Sequence, residues 1–165
     1  MQGIYRDEHN SHEIDLRRAV WSKGDLKETF KSIGNELSDA DWIYEENDTY
    51  VLVEFKNWKH GNMEVTKTEF YAKTVKKFYG SAFFLLATKT PKPMCYIVVL
   101  ASPLKDEFAT KTAVASIKKR LPFELQKGQE FSHELIRHFN IFSVAEWNKQ
   151  YPLYPISNLQ EKVLT

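Results

Sequence analysis

The stretch from Asp41 to Lys56, DWIYEENDTYVLVEFK, constrains this chain more than any other. Trp42-Ile43-Tyr44 is a short apolar run and Glu45 to Asp48 a polar turn. Tyr50-Val51-Leu52-Val53 is rich in the β-branched and aromatic residues that fit a pleated, buried surface. The whole reads as a β-hairpin. Side chains alternate faces along a strand, so Glu54 and Lys56 share one face while Val51, Val53 and Phe55 share the other. Asp41 opens the first strand, with twelve residues between it and Glu54. Pairing of the strands brings both carboxylates to one end of the hairpin. Charges at the end of so apolar a strand are costly unless they are paired or hold an ion.

Two carboxylates and a lysine at one sheet edge have a chemical use. Hard oxygen ligands suit Mg²⁺ or Mn²⁺, and the backbone carbonyl of Phe55 is a further candidate ligand. Such an ion activates water and offsets charge on a phosphodiester. A lysine beside it can orient the water or stabilise the developing negative charge. Without an ion, the two carboxylates repel each other.

Asp41 followed by Glu54-x-Lys56 on an apolar strand resembles the PD-(D/E)xK nuclease superfamily, and its spacing is similar to that of the archaeal Holliday-junction resolvases. The resemblance covers about residues 25 to 101, with Ala40 where the motif is named for proline. It implies a mixed α/β fold with a three-layer restriction-endonuclease-like core, a central mixed β-sheet flanked by helices. It implies a metal-dependent endonuclease, with DNA the favoured substrate, Asp41, Glu54 and Lys56 catalytic, and Mg²⁺ or Mn²⁺ as cofactor. Members often carry an extra metal-binding glutamate on a helix before the motif, and Glu13 and Glu28 are the candidates here. The helix after the motif often adds a polar residue, for which Lys73 is the candidate. Many members act as homodimers. The alternative is a nuclease-like module that has lost activity and binds nucleic acid or a protein.

Net charge is only +1, so global charge does not announce a polyanion partner. The charges are segregated, however. Residues 36 to 54 hold seven acids and no Lys or Arg, whereas residues 56 to 92 hold eight lysines against Glu64 and Glu69. An acidic centre beside a basic surface suits a metal site that also holds a polyanion. Trp58, Lys59, Lys73, Lys76 and Lys77 are the candidate nucleic-acid contacts, Trp58 by stacking on a base or by covering the core edge. A chain of 165 residues, 42% of them hydrophobic, suggests one domain with a packed core. The single cysteine, Cys95, excludes a disulfide framework, and no stretch reads as a membrane span or signal peptide. A cytoplasmic setting is expected.

Along the rest of the chain, residues 1 to 10 suggest an arm or a short strand. Ser11 to about Ser22 suggests a helix, and Asp25 to Ile33 a second one closed by Gly34. Thr66 and Glu69 read as a capping box for a helix to Tyr79, with Phe70, Thr74 and Phe78 inward and Gly80 ending it. Ser81 to Ala87 reads as a strand buried on both faces and parallel to residues 50–56. Tyr96 to Leu100 is a further strand, Pro103 to Arg120 a helix with Ala113 and Ile117 inward, and Phe139 to Phe142 a last short strand. Ser143 and Glu146 form another capping box. The tail from Tyr154 shows no regular pattern. No glycine-rich phosphate loop is present, which argues against ATP.

Overall fold

A computed structural model of the chain describes residues 3–34, 36–57, 67–102 and 106–160. The protein is mixed α/β. Its main sheet has five strands in the order β3 (Trp21–Lys23), β4 (Trp42–Glu46), β5 (Thr49–Lys56), β6 (Met94–Leu100) and β7 (Ile136–Ser143). The first three run antiparallel and the last three parallel. A smaller antiparallel sheet joins β1 (Ile4–Arg6), β2 (His12–Asp15) and β8 (Ile156–Asn158). The helices are α1 (Lys27–Phe30), α2 (Thr68–Thr88), α3 (Glu107–Lys118) and α4 (Val144–Gln150). No helix among the described residues is long and apolar enough to cross a membrane.

The period-two alternation of the hairpin is realised as two apolar clusters. Tyr50, Leu52, Tyr96 and Val98 pack against Phe70, Phe78 and Leu85 of α2 and Ile117 of α3. Val51, Val53, Phe55, Ile97 and Val99 pack on the other side against Ile14, Ile156 and Trp147 of α4. Both faces of β5 and β6 are therefore covered, as expected for strands in a parallel pairing. The Ser143–Glu146 capping box forms as read from the sequence.

Several segments differ from the sequence expectations. Residues 12–15 and 21–23 are strands, not parts of one helix. His12, Ile14 and Leu16 are buried while Glu13 and Asp15 are half-exposed, a strand period that the weak helical pattern had hidden. Ser81 to Ala87 is not a strand, because α2 continues through Gly80 to Thr88. Phe78, Ser81, Ala82 and Leu85 are buried while Phe83 and Leu86 are exposed, a helical period. Gly80 does not stop the helix. It is needed because Ser38 lies against it: a Cβ there would sit 1.8 Å from the Ser38 carbonyl oxygen. The parallel neighbour of β5 is β6, reached through α2. The helix start at Thr66 lies outside the described residues, as does Pro103; α2 opens at Thr68 after Lys67. Asp106 caps α3 through the N–H groups of Phe108 and Ala109. The tail is not irregular, since Ile156–Asn158 adds a strand beside β2.

Candidate active site

The site lies at the open end of the β4–β5 hairpin. Trp42 pairs with Val53, so Asp41, one residue earlier, stands opposite Glu54. Its Oδ2 accepts the Phe55 N–H at 2.8 Å, which fixes the carboxylate against β5. Glu54 is wholly buried on the α2 side of the sheet. Lys56, two residues on and therefore on the same face, makes an ion pair with Glu54 Oε1. The three residues singled out in the sequence thus converge.

Lys77 of α2 completes the cluster. Its Nζ lies 2.8 Å from Glu54 and 3.4 Å from Asp41 Oδ1. One ammonium therefore bridges both carboxylates, and the expected repulsion between the acids is offset by a cation that the protein supplies. Glu54 Oε1 lies within ion-pair reach of Lys56 and Lys77 yet accepts no hydrogen bond of good geometry.

Burial pushes the Glu54 carboxyl above the ordinary glutamate value, and Asp41 beside it adds to the effect, while Lys56 and Lys77 pull it back. Burial works against the charge of Lys77, but Glu54 and Asp41 outweigh it and raise its pKa. Asp39 is also raised, by burial first and then by Asp25 and Asp41, against a hydrogen bond from the Leu26 N–H and the charge of Lys77.

Three clefts meet at this cluster. The first, about 450 Å³, runs from Asp25 and Glu28 past Asp39 to Asp41 and Lys77. A second, about 210 Å³, is walled by Asp7, Glu8 and His9 of the β1–β2 turn and reaches Asp41, Lys56 and Lys77. The third, about 170 Å³, is lined by Glu54, Lys56, Glu69, Lys73 and Lys77. The β1–β2 turn is held in place by its own hydrogen bonds. Asp7 accepts the N–H groups of His9, Ser11 and His12 and the Ser11 hydroxyl, and Asn57 at the end of β5 donates to Ser11 Oγ at 2.7 Å.

The remaining candidates are distributed differently. Glu13 does not reach the cluster: it lies in the small sheet beside Arg6, 3.6 Å from its guanidinium, on the face opposite the buried His12 and Ile14. Glu28 lines the first cleft but is 87% exposed and paired with Lys31, so it does not converge with Asp41 and Glu54. Phe55 lines the second cleft and contributes its N–H to Asp41. Lys73 is exposed and paired with Glu69 at the third cleft, and Lys76 is exposed on α2. Trp58 and Lys59 lie outside the described residues. Lys77, expected as a surface contact to nucleic acid, instead turns inward. The spacing had contained that signal, because Lys77 follows Phe70 by seven residues and Thr74 by three, on the buried face of α2. Asp7 and Asp39 carried no comparable signal.

Asp41 and Glu54 offer hard oxygen donors at one point, which suits a divalent cation coordinated partly by water and phosphate. Among the described residues no group of three or more His, Cys, Asp or Glu side chains forms a ready-made metal cage. Comparison with family models, curated proteins and solved structures gave no match.

Proposed function

We propose that the protein is a divalent-cation-dependent nuclease that hydrolyses phosphodiester bonds of nucleic acid, DNA in first place. The observation that carries this reading is the convergence of Asp41, wholly buried Glu54 and Lys56 at one end of a hairpin, open to three clefts. Buried charge in an accessible cleft is costly for stability and useful for chemistry. The fold reading that goes with it is restriction-endonuclease-like. It is supported by the antiparallel hairpin feeding a parallel β5-α2-β6 unit, with apolar clusters on both sheet faces.

Asp41 and Glu54 would hold Mg²⁺ or Mn²⁺, which supplies an activated water and offsets charge on the scissile phosphate. Lys56, held by Glu54 and facing the second and third clefts, orients that water and stabilises negative charge as it develops. Lys73 and Lys77 of α2 line the third cleft and supply attraction for a polyanion that weakens as salt rises.

A second reading is favoured by one specific observation. Lys77 already bridges the two carboxylates, so the cluster is electrostatically satisfied without a metal. On that reading the domain binds nucleic acid without cutting it. Incubation with labelled duplex, junction and single-stranded DNA and with RNA, with Mg²⁺ or Mn²⁺ and with chelator, separates the two. Ion-dependent cleavage that disappears in Asp41→Ala supports the nuclease; binding without cleavage of any substrate supports the second reading.

A further inference from the structure

Lys77 holds a position that a lysine serving only as a surface contact would not need. It is on the buried face of a 21-residue helix, three-quarters withdrawn from solvent, and its ammonium sits between the two carboxylates that converge from different strands. Lys56, by contrast, pairs with Glu54 and with no second carboxylate among the described residues. The cation-free protein needs such a bridge, because two carboxylates this close in a partly desolvated site cannot both remain ionised without a counter-charge. A point charge on a flexible four-carbon stem is the side chain best suited to move between two positions. Lys77 also lines all three clefts, so an ammonium released from the acids still faces open groove and not apolar core.

We propose that Lys77 is an internal counter-ion which occupies the place of the divalent cation in the cation-free protein and is displaced into the groove when that cation binds. The inference rests on the reading of Asp41 and Glu54 as metal ligands. It gives Lys77 a regulatory role distinct from that of Lys56. The ammonium competes with the ion, so the site loads poorly until a polyanion in the groove offers Lys77 another partner. Cation and nucleic acid then bind cooperatively, since each favours the arrangement that suits the other.

Two measurements test this on the whole chain, neither requiring turnover. The first is calorimetric titration of Mn²⁺ into wild type, Lys77→Met and Lys73→Met. Removing the competitor should tighten Mn²⁺ binding by about tenfold, on the order of one buried charge contact. Lys73, which lines the same groove but pairs with Glu69, controls for general loss of positive charge and should change binding by less than about twofold. The second is amine acylation of wild type followed by mass spectrometry, which needs no substitution and so stands even if Lys77→Met folds poorly. Lys77 should be slow to react without metal and severalfold faster when Mn²⁺ is saturating. Equal Mn²⁺ affinity in wild type and Lys77→Met, or Lys77 labelling unchanged by bound Mn²⁺, overturns the counter-ion role while leaving the metal site standing. Absence of Mn²⁺ binding in every variant overturns the metal site itself, and the counter-ion role with it. Binding seen only in Lys77→Met supports the proposal.

Discussion

The two ends of the β4–β5 hairpin are built from the same kinds of residue and do different things. At the turn end, Lys92 pairs with Glu45 and donates to the Asn47 carbonyl at 2.8 Å. One acid meets one base, and the contact closes a turn in which Asn47 takes a positive φ of 48°. At the open end, two acids meet two lysines, one of the acids is wholly buried, and three clefts lead to the group. A single pair at a turn is an ordinary structural device. On the proposed nuclease reading, a buried, raised-pKa carboxylate among several charges in a cleft is where stability is given up for chemistry.

The widest separation of the two ends should appear in activity. Asp41→Ala, Glu54→Gln and Lys56→Ala should each lower cleavage by about a thousandfold or more, the scale of losing a charge-stabilising or proton-handling group. Glu45→Gln should leave the rate unchanged. Single-turnover assays on the preferred substrate make the comparison, and an Lys56→Ala enzyme as fast as wild type would remove that residue from the chemistry.

Next in size is the lock between α2 and the segment that delivers Asp41. The Ala40 N–H donates to buried Ser81 Oγ at 2.9 Å, and Gly80 admits the Ser38 carbonyl. Gly80→Ala should destabilise the protein by about 3 kcal/mol or more, because backbone must move to make room. Ser81→Ala leaves a buried N–H unpaired and should cost about 1–3 kcal/mol. Denaturant midpoints read both. A Gly80→Ala protein with wild-type stability would mean that α2 is not seated against Ser38.

The smallest effects concern charge. Glu45→Gln should cost about 0.5 kcal/mol, as for other pairs near the surface. Glu54→Gln, although it should lose cleavage, should match or exceed wild-type stability at neutral pH by up to about 1 kcal/mol. The sign follows from the raised carboxyl of Glu54. A carboxyl whose pKa is higher folded than unfolded favours folding below its unfolded value and loses that contribution as pH rises through its folded value. The advantage of Glu54→Gln should therefore shrink on acidification towards the ordinary glutamate value near 4.5. Melts of both variants from neutral to acidic pH check this, and an advantage that grows on acidification would contradict it.

The open end of the hairpin was readable because strand period and motif spacing agree there: the letters that place Glu54 and Lys56 on one face also set Asp41 opposite Glu54. The second half of α2 was misread because a seven-residue, mostly apolar run after a glycine looks like a buried strand. Ser81 to Ala87 contains no Val, Ile or Thr, however, and its Ala and Leu residues are good helix formers. Continuing the inward series Phe70, Thr74, Phe78 to Ala82 and Leu85 would have carried the helix past Gly80. The small sheet was out of reach for another reason. β8 has three residues and pairs with β2 from the far end of the chain, so no local pattern announces it. Asp7 was hidden with it, since its place on the cleft wall depends on that sheet. Lys77 was legible in spacing but not in role, because only the folded chain brings α2 over both acids.

If Asp41 and Glu54 together form a divalent-cation site, thermal melts with increasing Mn²⁺ reveal it. Ligand that binds only the folded state raises stability with concentration, by about 2.7 kcal/mol at a hundred times Kd. Wild type should melt at progressively higher temperature as Mn²⁺ is added, while Asp41→Ala and Glu54→Gln should not respond. Wild type and Lys77→Met both indifferent to Mn²⁺, or acid variants that gain as much as wild type, would contradict it.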